Sequence, residues 1–501
     1  MKRISNIADI RLVMHRNKRP IYFVSGTNFN LMGIDEWVGN LKFINYIDPF
    51  DGRHPNVFAP SKIPHTRCKS IEGINNHLLQ RKEVIDHIAR RGGRPVAVFL
   101  MFDETTEKIC KELGIEVWHP KAKLRQRCDN KMETVRIGNK AGVPSVPNTL
   151  GPARTYEELL CSARRVGLGA DLVVQTGFGD SGRTTFLIAS EDDYNRHAAE
   201  ISAEEEVKIM KRVNCRSATM EACTTASGTL VGPLMTCRSA TMEACTTASG
   251  TLVGPLMTEV VGKPELTPYK GGWAGNELFA GAFSEKVLAK TRDMASRFGN
   301  QLRKEGYRGY FNLDFLIDEN NEVYLGELNP RISGASSLTN QAAFAYADAP
   351  LFLFHLMEFF GIEYNIDVKE LNDRWASEEF IDSWSQLILK STEDLDGIVT
   401  HAPASGIYRM APDGSVSYAR FDYHRQAIES DKEALFVRFT GRGDSLKKGA
   451  DLGALMMRGR VMDDEFELTE RARNWITGIK RLYASKPVTE IQCDEAKEPI
   501  R

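Results

Sequence analysis

Residues 309–334 alternate apolar and polar side chains on both sides of a polar turn, the pattern of a half-buried antiparallel hairpin. Two strands are expected, 309–317 and 323–329, around a two-residue turn at Asn320 and Asn321, residue types that tolerate positive φ. That turn places Asp314 opposite Glu327 and Asn312 opposite Asn329. The reverse face carries Phe311, Leu313, Phe315 and Ile317 against Leu328, Tyr324 and Pro330, and reads as core. Like charges directly across a ladder destabilise it unless something positive lies between them. A hard divalent cation with oxygen ligands would serve, and so would plain hydration of a surface hairpin. Spacing alone leaves both open.

The chain has 501 residues, 42% hydrophobic and 26% charged, with a formal net charge of -2. That is room for about two to four domains with sizeable cores. The charge balance gives no reason to expect nucleic acid or an acidic membrane surface as a partner. No apolar run approaches the roughly 20 residues that span a bilayer. The basic N-terminus lacks the apolar stretch and cleavage site of a signal peptide. The nine cysteines are scattered without a Cys-x-x-Cys pair, and Cys215, Cys223, Cys237 and Cys245 belong to a repeated segment. Reduced thiols in a cytoplasmic protein are the expectation.

Strand and helix signals alternate through residues 1–120: a strand at 21–25, a buried-type strand at 96–102, a helix from Asp103 and Glu104 to Gly114, then a strand at 115–118. This βαβ rhythm predicts a small parallel, Rossmann-like sheet without a dinucleotide glycine fingerprint. Residues 121–350 hold most of the candidate chemistry. A strand-rich segment follows at 351–486, opening on a helix at 351–360. It ends on a helix whose stripe of Leu468, Ala472, Trp475, Ile476, Ile479, Leu482 and Tyr483 reads as core packing. The tail, 487–501, reads as disordered. The class is α/β, in part α+β.

Residues 215–236 recur unchanged at 237–258. Two copies do not make a solenoid, and each copy reads as a hairpin. The first strand follows its natural predecessor, Asn214, only in copy one. The second strand meets its natural successor, Glu259, only in copy two. A hybrid hairpin is therefore expected, with the surplus residues leaving at its tip, roughly 226–249, where lengthening a loop costs only about 0.6 kcal/mol per doubling.

Three further segments bear on chemistry. Lys131 opens a helix expected to be capped by Asp129 and to end at Gly142 before a strand. A strand at 171–175 runs through Gln175 into a loop with Gly177, Gly179 and Gly182, whose backbone N–H groups could turn toward a polyphosphate. No Gly-Lys-Ser/Thr follows, so it is not a Walker A loop. A strand at 207–213 then leads into the repeat. Taken singly, each is equally an ordinary helix start, hairpin tip or edge strand.

In this order the segments resemble the ATP-grasp superfamily, in its biotin-carboxylase-like branch that includes carboxylate–amine ligases. The spacing from Lys131 to Gly142-Val143-Pro144 and the Asp314…Glu327-x-Asn329-x-Arg331 pattern carry the likeness. The resemblance implies an ATP-grasp fold with a Rossmann-like N-terminal domain and a strand-rich C-terminal one. It implies that Lys131 contacts ATP phosphates, that the loop of Gly177, Gly179 and Gly182 closes over them, and that Lys211 and Val213 meet adenine through their backbone. Glu221 would point into the cleft. Asp314, Glu327 and Asn329 would hold Mg²⁺ (or Mn²⁺), and Arg331 would steady the γ-phosphate.

Two departures qualify this likeness. The family usually carries a basic residue where this chain has Gln175, with Arg183 as a compensating cation to consider. Biotin carboxylases place a glutamate where this chain has Ala335, so the carboxylase reading loses its base. The implied activity is an ADP-forming ligase that joins a small carboxylate to an amine, such as amino acids or peptides, through an acyl-phosphate. Lys270-Gly-Gly-Trp-Ala-Gly-Asn276 reads either as a loop over the acceptor or as a plain connection. The alternatives are a bicarbonate-using enzyme of the biotin carboxylase or carbamoyl-phosphate type, and a non-catalytic ATP-binding protein. Relatives of this kind are often homodimers.

Overall fold

The structure, a computed structural model, describes residues 4–61, 68, 70–179, 184–212, 222–225, 228–231, 238–377, 379, 381–394 and 396–487. The short apolar strands of the first 120 residues form a five-stranded parallel sheet. Its order is Val57–Phe58, Leu41–Asn45, Ile21–Ser25, Val96–Phe99, Glu116–Val117. Helices on both faces make its central strands continuously apolar. Tyr22, Val24, Ala97 and Phe99 pack with Leu78, Leu79, Val84 and Ile109 from the flanking helices. Ile21, Phe23, Val96 and Val98 join the larger core containing helix Leu351–Phe360. The strand expected at 96–102 stops at Phe99, and Asp103 caps helix Glu104–Glu112 through a reciprocal capping box with Thr106.

A four-stranded antiparallel sheet follows, in the order Asn148–Gly151, Val207–Lys211, Leu172–Gln175, Thr185–Ile188. The helix expected before it spans Lys131–Ala141 and ends on Gly142 at φ 66°. Its cap is Asn130, not Asp129: the Asn130 side chain accepts from the N–H groups of Met132 and Glu133. Asp129 instead ends the preceding helix and pairs with Arg125.

The rest of the chain is organised on one ten-stranded antiparallel sheet. At one edge lie Val323–Asn329, Gly309–Ile317, Arg238–Thr247 and Gly250–Val261. Through Trp273–Leu278 the sheet continues into Trp384–Lys390, Asp451–Arg458, Glu433–Arg438, Gly406–Met410 and Val416–Arg420. The C-terminal strands thus extend the central sheet, because Trp384–Lys390 pairs directly with Trp273–Leu278. Helix Glu470–Lys480 buries Ala472, Trp475, Ile476 and Ile479, the stripe its spacing predicted. The tail beyond Pro487 lies outside the described residues.

The duplicated segment does not form the hybrid hairpin. Both sheet strands, Arg238–Thr247 and the start of Gly250–Val261, come from copy two and pair through a tight turn, Thr247 opposite Gly250. Copy one forms its own short hairpin, Ala222–Thr225 with Gly228–Val231, in a separate two-stranded sheet. A hybrid would open both tight turns to make one ladder, whereas this arrangement keeps a local hairpin in each copy. The second strand does come from copy two, as expected, and Gly250–Val261 runs unbroken across the junction between Thr258 and Glu259.

No helix among the described residues is long and apolar enough to cross a membrane. Cys68, Cys110, Cys128, Cys161 and Cys245 are free thiols.

Candidate functional site

The hairpin of Gly309–Ile317 and Val323–Asn329 has the expected pairing where it matters: Asp314 opposite Glu327 and Asn312 opposite Asn329. It reaches that register by a different route. Asp318 and Glu322 close a three-residue loop in which Asn321 takes φ 59°, one residue longer than the expected turn. A bulge at Gly326 then shifts the ladder back by one. A Cβ on Gly326 would stand 3.0 Å from the Asp314 carbonyl oxygen, so glycine suits the close approach. The bulge also corrects the core assignment. Val323 and Leu325 join Phe311, Leu313, Phe315, Ile317 and Leu328 in the core under helix Glu285–Lys304. Tyr324 turns to the opposite side with Leu316.

Polar side chains from four strands cover the site face. The Thr241 hydroxyl donates to Asp314 Oδ1 (2.8 Å), and Asn329 Nδ2 donates to Asp314 Oδ2 (3.0 Å) and Asn312 Oδ1 (2.9 Å). Arg331 donates to Asn329 Oδ1 at 2.8 Å, and its buried Nε has no partner among the described residues. Lys131 Nζ lies 3.0 Å from Glu327 Oε1 and donates to Gly179 O at 2.8 Å. Burial, with the nearby carboxylates of Glu259 and Glu327, holds Asp314 well above the usual carboxylate range, partly offset by Thr241 and Arg331. Burial likewise raises Glu259, against a hydrogen bond from Ser239.

This donor set suits a hard divalent cation. Asp314 and Glu327 offer hard oxygen ligands, and Lys131 and Arg331 supply only part of the positive charge beside them. No group of three or more His, Cys, Asp or Glu side chains among the described residues is arranged to hold a metal alone. A cation here would share its coordination with a second oxygen-rich ligand, as phosphate oxygens provide. Asn329 is engaged on both amide atoms, so its first effect is to orient Asp314 and Arg331.

The four-stranded sheet supplies the opposite wall. Val173 and Met210, with Val146, form a small apolar patch against Leu316 and Tyr324 of the hairpin. The walls join at their base, where the Leu325 N–H donates to Pro144 O. Gly177 accepts from the Lys131 N–H, and a Cβ there would meet the Asn130 amide at 2.8 Å. Gln175 hydrogen-bonds Thr185. Lys211 is at the strand end, with its N–H given to Pro147 O. Gly182, Arg183, Val213 and Glu221 lie outside the described residues.

Several site residues escaped the sequence reading. Lys208 stands directly across the ladder from Gln175, is 1% exposed, and donates to Gly326 O at 3.3 Å. Its sequence signal is a lysine flanked by Val207 and Ile209 inside the strand Val207–Lys211. Glu243 is the copy-two counterpart of Glu221 and is fully buried. It accepts from Ser333 (2.7 Å), Ser336 (2.6 Å) and the Tyr310 hydroxyl, and so fixes the loop after Arg331. Asn30 reaches from the parallel sheet to Ser333 O at 2.8 Å. The 270–276 segment, which the sequence leaves as an acceptor loop or a plain connection, brings Trp273 against Gly334, where any Cβ would overlap its ring. That segment therefore packs on the loop beyond Arg331.

No family model matches the chain, and no curated protein matches it by sequence. Solved structures do match over nearly the whole length. One is the ADP complex of an N5-carboxyaminoimidazole ribonucleotide synthetase, with 13% identity, TM-score 0.54, and 96% of this chain and 100% of that one covered. The Aspergillus clavatus N5-carboxyaminoimidazole synthase, in complex with ADP and the aminoimidazole ribonucleotide, has 13% identity and TM-score 0.54, covering 92% and 99%. The Campylobacter jejuni biotin carboxylase, in complex with an ATP analogue, has 12% identity and TM-score 0.59, covering 96% and 95%. The chain has the ATP-grasp fold of the biotin-carboxylase-like type.

Proposed function

We propose that this chain is an ATP-dependent, ADP-forming ligase that joins a carboxylate to an amine through an acyl-phosphate. The observation that carries this reading is the convergence of Lys131, Lys208 and Arg331, from three separate segments, on the Asp314–Glu327 pair. Cations placed around paired carboxylates are what a metal-bound triphosphate requires, since phosphoryl transfer is mostly positioning and charge neutralisation.

On this reading the adenine lies between Met210, Val173 and Tyr324, and the phosphates run toward Lys131 under the Gly177 and Gly179 backbone. Val213 would bound the adenine from the strand end, with the Lys211 carbonyl accepting from it. Asp314 and Glu327, with Asn329 beside them, would hold Mg²⁺ or Mn²⁺, which when bound supplies positive charge to the phosphate oxygens. A substrate carboxylate oxygen attacks the γ-phosphorus, the bond to the bridging oxygen breaks, and ADP leaves with that electron pair. The amine then attacks the acyl carbon and phosphate departs. Arg331 steadies the transferring group. Ser333 and Ser336, held by Glu243, and Trp273 over Gly334 form the acceptor side.

A second reading takes bicarbonate as the carboxylate donor. The carboxylating enzymes among the matched structures favour it, while Ala335, buried and without a carboxyl group, removes the base that biotin carboxylases use there. ADP release measured with pooled amino acids and amines, and separately with bicarbonate, tests both. Release that needs an organic carboxylate supports the ligase, bicarbonate-dependent release supports the second reading, and no release under either condition contradicts both.

A further inference from the structure

Among the described residues, Lys208 is a buried cation that no carboxylate contacts directly. Its side chain lies within strand Val207–Lys211, on the face shared with Met210 and turned from the core that holds Val207 and Ile209. Its ammonium can donate three hydrogen bonds. Among the described residues it makes one, to the Gly326 carbonyl at 3.3 Å, and it forms no salt bridge. Glu327 attracts it from a distance, but that carboxylate is engaged at 3.0 Å by Lys131. Burial with Lys131 nearby lowers its pKa to about 8. An ammonium buried with a single long carbonyl contact is unfavourably placed, which points to a use in binding an anion.

Its neighbours show what that use is. Lys208 faces Gln175 directly across the ladder, and Gln175 leads into the glycine loop while carrying no charge. Gln175 is turned to Thr185, on the far side from Lys208's strand. The pair thus presents one cation at the loop entrance, supplied from the neighbouring strand.

We propose that Lys208 is a second polyphosphate-binding cation of this cleft, beside Lys131, placed across the ladder from the uncharged Gln175. The assignment rests on the nucleotide reading above and adds the residue that selects for a di- or triphosphate over an uncharged nucleoside. The ammonium would exchange its lone carbonyl contact for charged phosphate oxygens, which bind an ammonium more strongly than a carbonyl does.

The test is calorimetric binding of ATP, ADP and adenosine to the full chain and to three variants: Lys208→Met, Lys208→Arg, and the exchange Lys208→Gln with Gln175→Lys. Lys208→Met should weaken ATP and ADP roughly 10- to 100-fold, the range expected for one charged hydrogen bond, and leave adenosine unchanged. The exchange should recover most of the loss, and Lys208→Arg part of it. Without ligand, Lys208→Met should melt no lower than the parent, because it removes an unpaired charge and keeps the volume. ATP binding by Lys208→Met equal to the parent's would overturn the assignment and leave the nucleotide reading standing. Equal losses for adenosine and ATP would overturn it too, as a packing effect. Failure of the parent to bind ATP would overturn both.

Discussion

Lys131 Nζ lies 3.0 Å from Glu327 Oε1 and 2.8 Å from the Gly179 carbonyl oxygen. One ammonium therefore ties the helix start at Asn130 to the carboxylate hairpin and to the glycine loop, the three parts that meet the transferring phosphate in the proposed function. Neutralising Glu327 breaks this tie and removes one side of the cation site. Glu327→Gln should lower ATP turnover roughly 100-fold, the scale seen when one group stabilising transition-state charge is lost. The far-ultraviolet circular dichroism should be unchanged, since Glu327 is outside the core, and the magnesium concentration giving half-maximal rate should rise.

The two copies of the repeat make opposite predictions for the same substitution. Glu243 accepts from Tyr310, Ser333 and Ser336 in a fully buried setting. Glu243→Gln leaves those hydroxyls short of acceptors and should cost about 1–3 kcal/mol in urea unfolding. It should also slow turnover by loosening the loop after Arg331. Glu221→Gln should do neither. Equal effects from the two would mean that either copy can occupy the central sheet.

Gly334 has no room for a side chain beside Trp273. Gly334→Ala should displace that ring, with an overpacking cost of about 1–3 kcal/mol and a changed tryptophan emission. Adding Trp273→Leu should relieve the strain and recover most of the stability. If Gly334 and Trp273 border the acceptor, the single variant raises the acceptor KM more than the ATP KM.

Acid should loosen the contact between the parallel sheet and the central one. His355 accepts from the Tyr310 N–H through Nδ1 and uses Nε2 on the Trp118 carbonyl, so the neutral ring serves both sheets. Burial lowers its pKa to about 4, and burial with His355 nearby lowers His119 well below its ordinary value. Between the unfolded value near 6.5 and about 4, the unfolded chain binds a proton at His355 that the folded chain refuses. Stability should therefore fall as pH drops through that window. The His355 share is on the order of 3 kcal/mol at full effect. Thermal melts of the parent and of His355→Gln across pH 4 to 7 check this; the variant's slope should be shallower.

The hairpin shows how far sequence reasoning reaches and where it stops. A two-residue turn places Asp314 opposite Glu327. The turn has three residues, and the bulge at Gly326 compensates at the site. Between turn and bulge the faces invert, so Tyr324 and Leu325 exchange roles, which alternation cannot reveal without locating the bulge. Cross-strand neighbours were equally hidden. Nothing in the strand of Lys208 tells that Gln175 is its partner, because that pairing joins segments more than thirty positions apart. The identical copies carry no signal that distinguishes them; the choice of copy two follows from strand continuity at Glu259 and from the two local turns. The stripe of Ala472, Trp475, Ile476 and Ile479 was legible because helical spacing sets it, whereas Leu468, Leu482 and Tyr483 reach the same core from outside the helix.

The central claim is that a carboxylate receives the γ-phosphate of ATP in the cleft lined by Lys131, Asp314, Glu327 and Arg331. Incubation with ATP, magnesium, a pool of carboxylates and hydroxylamine tests it most directly, because hydroxylamine converts an acyl-phosphate into a stable hydroxamate. Equal amounts of hydroxamate and ADP, both lost in Glu327→Gln, are the expected result. Release of AMP and pyrophosphate, or hydroxamate that persists undiminished in Glu327→Gln, would contradict it.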